Sequence, residues 1–303
     1  MFRVLAGLVE HARIQINKKM KEFLYQLLLL PGVLRRINSL GFGARFKREL
    51  RLTHLRTTFF RRNGSTEKTE NIAGYKMRYC DFGSFTYLFR ELFLNQEYSF
   101  GTKNTKPFIL DCGSNIGMSV LYFKIRFPEA EIIAFEPDKD AFACLKENVS
   151  FNVLKNVTVN NTAVSKREGP VGFWRGTGKS GALGNTIYAN PLKGMVPAES
   201  TRLSKYVDRK VDFLKLDVEG AELEVISDLA EAGKLEMVEQ MFIEYHLHMP
   251  EVDDAFSKLL RILETSGFGY QLGGELARPF HGGQFQALHI FAYNKNSPSG
   301  RIS

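Results

Sequence analysis

Residues 107–117 read Pro107-Phe108-Ile109-Leu110-Asp111-Cys112-Gly113-Ser114-Asn115-Ile116-Gly117, a short apolar run that breaks into a glycine turn. Ile109 and Leu110 predict a buried strand, and Gly113 lets the chain turn where a Cβ would obstruct a bound ligand. Beyond the turn, Met118, Leu121, Tyr122 and Ile125 recur at helical spacing, which predicts a helix over 115–127 capped by Ser114 and Asn115 and ended by Pro128. Glu131-Ile132-Ile133-Ala134-Phe135 then predicts a second strand. It delivers Glu136 to its carboxyl end, 23 residues beyond Gly113. A carboxylate there can accept hydrogen bonds from both hydroxyls of a ribose, so the unit reads as a site for a nucleotide-type cofactor.

The glycine spacing selects among such cofactors. A dinucleotide fingerprint is G-x-G-x-x-G, whereas this turn is D-x-G-x-x-x-G and lacks the middle glycine. It resembles the first motif of class I S-adenosylmethionine-dependent methyltransferases, whose cofactor carries an amino-acid end and no phosphate. Two further strings, Lys215-Leu216-Asp217-Val218-Glu219-Gly220-Ala221-Glu222 and Ile243-Glu244-Tyr245-His246, are similar to the K-x-D-V-E-G-A-E and I-E-Y-H signatures of the FkbM-family methyltransferases. The resemblance runs over roughly residues 72–293, including the stretch of Phe89, Leu92, Phe93 and Tyr98 before the first strand. It implies methyl transfer to a hydroxyl of a sugar or polyketide-like product. Two other readings are an NAD(P) oxidoreductase, which the missing middle glycine opposes, and a binding module that keeps the cofactor without turnover.

Strands are expected at 108–112, 131–136, 157–160, 211–217 and 240–245, helices at 139–150, 220–231 and 251–266, and a closing antiparallel pair at 268–272 and 285–293. Such alternation argues an α/β, doubly wound, mostly parallel Rossmann-like sheet ending in an antiparallel hairpin. Residues 169–206, rich in glycine, read as an irregular loop serving as a lid or acceptor strap, with Trp174 available to stack on a sugar or to pack. The expected division is a basic, helical extension over 1–70, a methyltransferase domain over 71–296 and a flexible tail over 297–303, with the polar stretch 61–71 as linker.

Ligands of an open parallel sheet gather at the carboxyl ends of its strands. On that rule and the resemblance, Asp111, Gly113, Ser114, Asn115 and Gly117 form the turn at the methionine end of S-adenosylmethionine. Glu136 takes the ribose, and Thr162 and Ala163 the adenine edge. Asp217, Glu219, Glu244 and His246 are left facing the acceptor. A hydroxyl needs a base, and histidine titrates nearest neutrality, so His246 is the first choice and Asp217 the second. Three carboxylates on one rim would repel, which calls for Lys215, raised pKa values or a divalent cation such as magnesium on Asp217, Glu219 or Glu244.

Composition bounds the rest. Hydrophobic residues are 44% and charged residues 24% of the 303, ordinary for a globular protein. Cys80, Cys112 and Cys144 are scattered and odd in number, which opposes a disulfide scaffold or a zinc site. The +8 net charge is uneven: residues 1–62 carry fourteen Lys and Arg against three Glu. In that segment Phe23 to Leu30 is the longest apolar run, and Pro31-Gly32 is expected to end it. It is too short to span a bilayer and too far from Met1 for a secretory signal. Val9, Ile16, Met20, Phe23, Leu24 and Leu27 make one helical stripe among basic residues, suited either to an anionic membrane surface or to packing on the main domain. Aromatics do not interleave with the basic residues, so a nucleic-acid arm is disfavoured. The expected partner is a glycan, glycolipid or small-molecule hydroxyl acceptor. The expected place is the cytoplasm, with peripheral contact at the inner face of a membrane. N-P-P-Y, used on amide and ring nitrogens, is replaced here by Leu216-Asp217-Val218-Glu219.

Overall fold

The computed structural model describes residues 2–59, 68–175, 185–188, 194–247, 255–274 and 286–297. The chain divides into two compact units, residues 1–67 with 71–75, and residues 68–70 with 76–303.

In the first unit, α1 (Phe2–Ser39) and α2 (Ala44–Phe59) pack together, with Ile37 and Leu50 fully buried and the Phe23 and Phe59 rings edge to face at 5.5 Å. Pro31 does not end the helix as expected; it lies inside α1. A proline removes one i→i−4 hydrogen bond. Burial of Ile37 and Leu40 beyond it supplies the compensating apolar contact. The side chains of Val9 and Ile16, expected in the apolar stripe, lie outside the described residues. So do residues 61–67 of the expected linker and 298–303 of the expected tail.

Residues 69–71, also expected in the linker, instead begin a hairpin of β1 (Thr69–Ile72) and β2 (Tyr75–Arg78). Next comes α3 (Phe82–Phe89), capped by Asp81, whose carboxylate accepts from the Ser84 amide. One wide helical turn follows over Arg90–Asn95. Phe89, Leu92, Phe93 and Tyr98 are all buried.

The doubly wound sheet then builds from β3 (Phe108–Cys112), α4 (Met118–Arg126), β4 (Glu131–Phe135), α5 (Lys139–Phe151) and β5 (Val157–Asn160). A smaller sheet interrupts it, made of β6 (Ala163–Val164), β7 (Gly169–Arg175) and β8 (Gly194–Thr201). Then come β9 (Val211–Leu216), α6 (Glu222–Glu231), β10 (Val238–Leu247), α7 (Phe256–Thr265), β11 (Phe268–Gly273) and β12 (Gln286–Asn294). The large sheet has the order β11-β12-β10-β9-β3-β4-β5. Only β12 runs against its neighbours, and it sits between β10 and β11. Every residue of β3 and β9 is buried, as parallel strands covered on both faces require. This is the α/β, doubly wound, mostly parallel sheet with a closing antiparallel strand that the alternation anticipates.

Three expectations change. Helix α4 starts at Met118 rather than 115, because Gly117 holds the left-handed φ of 81° and neither Ser114 nor Asn115 caps it. Ser114 donates instead to the Asp111 carbonyl, and Asn115 accepts from the adjacent Ile116 amide. Residues 169–175 and 194–201 are paired antiparallel strands, not an irregular loop. Their alternation of glycine with Val171, Phe173 and Met195 hides a period of two. Asn185–Tyr188 and residues 202–206 of the expected lid are described, the latter with a helical turn at Leu203–Tyr206, whereas 176–184 and 189–193, and 251–254 of the last expected helix, lie outside the described residues.

Candidate active site

The turn after β3 is fixed by a backbone approach. A Cβ on Gly113, at φ +84°, would lie 1.8 Å from the Asp217 carbonyl oxygen. No side chain fits, so β3 and β9 can meet closely only at glycine. Behind the turn sits Lys215, 2% exposed at the side chain. Its Nζ donates to the Gly113 carbonyl at 2.5 Å and the Cys112 carbonyl at 3.2 Å, and pairs with Asp217 at 3.1 Å. Burial alone would lower the Lys215 pKa, but Asp217 and Asp111 outweigh it and hold the ammonium charged. Asp111 is fully buried, with Ser119 donating to it at 2.5 Å. It stands behind the turn, not in the cleft.

The cleft is lined by Gly113, Ser114, Asn115, Glu136, Thr162, Ala163, Asp217 and Glu219, together with Leu88, Leu92, Tyr98, Met118, Phe173 and Asn185. Six of the eight expected cofactor residues line it; Asp111 and Gly117 do not. Gly117 serves packing instead, since a Cβ there would strike Leu145 Cδ1 at 2.6 Å. Trp174 is likewise off the wall, and its strand neighbour Phe173, on the opposite face of β7, takes the place.

Glu136 is held by two backbone amides, with Oε2 accepting from Asn115 at 2.8 Å and Oε1 from Asp138 at 2.8 Å. Each carboxylate oxygen keeps a lone pair for a diol. Burial pushes its pKa up to about 8, against the pull of those amides. Asp138 caps α5 and receives Arg175 of β7 at 2.6 and 2.7 Å, which ties the smaller sheet to the Glu136 end of the cleft.

The placement of Asp217, Glu244 and His246 follows from strand register. Phe242 of β10 pairs with Lys215 of β9, so with a period of two Lys215, Asp217, Glu244 and His246 share one face. The expectation that His246 meets the acceptor hydroxyl differs from its placement. Its side chain is 1% exposed and stands off the cleft wall. Nδ1 lies 2.8 Å from Glu222, while Nε2 faces Glu219 at 3.4 Å and Asp217 and Glu244 at 3.9 Å. Burial would lower the imidazole pKa, but Glu219, Glu222 and Asp217 hold it well above its ordinary value, as an imidazolium. Glu222, not singled out in the sequence beyond its place in the string, is the anchor: the same Oε1 accepts from the Gly220 amide at 3.0 Å. Burial and neighbouring Asp217 push Glu244 up to about 9, so it is protonated at neutral pH. Glu244 opens on a second cleft, shared with Tyr87, Arg90, Glu91 and His289. The Glu91 carboxyl, also raised by burial, sits at about 8.

Lys215, the imidazolium and the protonated carboxyls answer the repulsion expected of this rim. Ligand atoms of Asp217, Glu219 and His246 also lie within 4.8 Å of one another. With one nitrogen donor, which would first have to give up its proton, that set suits a borderline divalent ion better than the magnesium expected from oxygen donors alone.

A family model described as Methyltransferase FkbM domain matches residues 111–272. Methyltransferase sdnD of Sordaria araneosa is 30% identical over 178 residues, 48% of this chain and 69% of that one. Methyltransferase 1 of Beauveria bassiana is 25% identical over 207 residues, 60% of this chain and 80% of that one. The 2-O-methyltransferase NoeI of Sinorhizobium fredii is 30% identical over 155 residues, 45% of this chain and 61% of that one. The chain belongs to the FkbM methyltransferase family.

The state of Glu136 sets a pH dependence for any ribose ligand. A carboxyl titrating near 8 is mostly protonated at pH 7, while a diol that donates two hydrogen bonds needs the carboxylate. Cofactor affinity should therefore rise between pH 6 and 8, by up to tenfold per unit, and flatten above. Calorimetry at pH 7 in buffers of different ionisation heat should register proton release, and Glu136→Gln should abolish it.

Proposed function

We propose that this methyltransferase uses S-adenosylmethionine to methylate a hydroxyl, most directly of a sugar on a glycan, glycolipid or secondary metabolite. The observation that carries the reading is the Asp217 carboxylate, which lines the cofactor cleft beside Glu219, with Lys215 at 3.1 Å and Glu244 on the adjoining cleft. The cleft fits the cofactor: Glu136 suits the ribose, backbone at Thr162 and Ala163 the adenine edge, and the open turn at Gly113 the methionine end. S-adenosylmethionine supplies an electrophilic methyl group on a cationic sulfonium.

The residues then divide the work. Asp217 and Glu219 favour positive charge at the wall. Asp217 accepts the acceptor's hydroxyl hydrogen bond and takes its proton. Lys215 holds the Asp217 carboxylate in place, and His246 adds positive charge behind it. Protonated Glu244 donates to the acceptor from the second cleft. Oxygen acceptors are favoured by Leu216-Asp217-Val218-Glu219, and the name of the relative NoeI, a 2-O-methyltransferase, supports the same class.

Among the described residues, no helix is long and apolar enough to cross a membrane. A peripheral role at an anionic inner membrane face is part of this reading. Met20, Leu24 and Leu28 of α1 are exposed, Leu28 at 79%, within a segment of high positive charge. Such a helix gains from apolar insertion and from about 1 kcal/mol per basic residue near the surface.

Two measurements check these readings. Asp217→Asn should lower turnover of methyl-labelled cofactor onto glycan or glycolipid fractions by ~10²–10⁴-fold, and His246→Gln by only about 10–100-fold, as for a residue acting through another. Equal losses, or label confined to RNA or protein, would contradict the assignment. The full chain should co-sediment with phosphatidylserine vesicles at low salt and much less at high salt, and Leu28→Asp should weaken it. Salt-independent binding would contradict the membrane role.

A further inference from the structure

The Sγ atoms of Cys80 and Cys144 lie 3.1 Å apart, within hydrogen-bond range for two thiols and about 1 Å from a disulfide bond length. They come from segments 64 residues apart that side-chain amides sew together. Asn148 of α5 accepts from the Arg78 amide at 2.6 Å and donates to the Arg78 carbonyl at 2.9 Å. Asn152 accepts from the Lys76 amide at 2.9 Å and donates to the Lys76 carbonyl at 2.8 Å. The end of β2 is thus held along α5, and the two sulfurs face one another before any bond joins them. Cys112, in contrast, is fully buried in the sheet.

We propose that Cys80 and Cys144 are a redox site, a dithiol that a hydroperoxide converts to a disulfide and a small thiol restores. The chemistry divides by environment. The two thiols share a hydrogen bond in which either sulfur can donate; the Arg78 guanidinium favours the thiolate on Cys144, whereas Cys80 can keep its proton on the Asp140 carbonyl. The Cys144 thiolate attacks a peroxide oxygen; the O–O bond breaks, and the departing oxygen leaves as water or an alcohol after taking a proton. The resulting sulfenic acid is attacked by the Cys80 sulfur, forming the S–S bond and expelling water with the Cys80 proton. Two thiols are oxidised by two electrons and one peroxide is reduced. The bond would pin β2 to α5 one turn beyond Asp140, whose carbonyl already accepts from Cys80. That places the switch on the helix that Asp138 caps beside the ribose-binding Glu136.

The test is peroxide titration of the reduced full-length protein, followed by alkylation in denaturant and peptide mass spectrometry. Wild type should lose two alkylatable thiols, gain a Cys80–Cys144 cross-linked peptide, and recover both thiols with dithiothreitol, while Cys112 stays alkylatable throughout. Cys80→Ser removes the resolving sulfur and should accumulate sulfenic acid on Cys144, trapped by dimedone. Cys144→Ser should leave Cys80 reduced at the same dose. Oxidation of wild type to sulfinic acid without the cross-link, or no reaction at Cys144 in Cys80→Ser, would overturn the proposal.

Discussion

The site depends on one buried ammonium. Lys215 rises from the carboxyl end of β9 into the gap between two strand ends, where its Nζ binds the carbonyls of Cys112 and Gly113 and the carboxylate of Asp217. Those carbonyls belong to the turn whose geometry opens the cleft. A carbonyl pair facing a carboxylate would repel, and the cation makes them attract. Removing one member of a buried pair typically costs ~3–5 kcal/mol. The turn and the Asp217 carboxylate on the cleft wall are therefore set by one side chain.

From that point the charges alternate outward. Asp217 is paired with Lys215, and His246 stands among Asp217, Glu219, Glu222 and Glu244. Burial without such alternation would neutralise these groups, as it does Glu244 and Glu136. Two residues beside the cleft hold left-handed backbone without being glycine, Asn115 at φ 48° and Glu219 at φ 54°. Strain of this kind persists where surrounding contacts over-determine it. Here the Asn115 amide is committed to Glu136, and the Glu219 carbonyl accepts from Thr186 at 2.6 Å.

Local pattern carried much of this into the sequence. The buried run before Gly113, the acidic residue at the next strand end and the alternation of strands with amphipathic helices are short-range signals, and β3, β4, β5 and β9 begin where they indicate. What stayed hidden depends on partners distant in the chain. Glu222 reads as one more acid in a string until its bond to His246, 24 residues on, is seen. His246 looks like a free base because nothing local reveals the carboxylates around it. Strands β7 and β8 were masked by glycine, and α1 continued past Pro31 because burial of Ile37 and Leu40 outweighed a local breaker. The nearness of Cys80 and Cys144 had no local signal at all.

The central claim is that one cleft orients a nucleoside at Glu136 and the reacting end at Asp217. A crystal structure of the protein with S-adenosylhomocysteine tests it most directly. The account predicts both ribose hydroxyls on the Glu136 carboxylate, the adenine edge on backbone at residues 162–163, and the sulfur facing Asp217. A ribose bound away from Glu136, or a sulfur turned from Asp217, would contradict it.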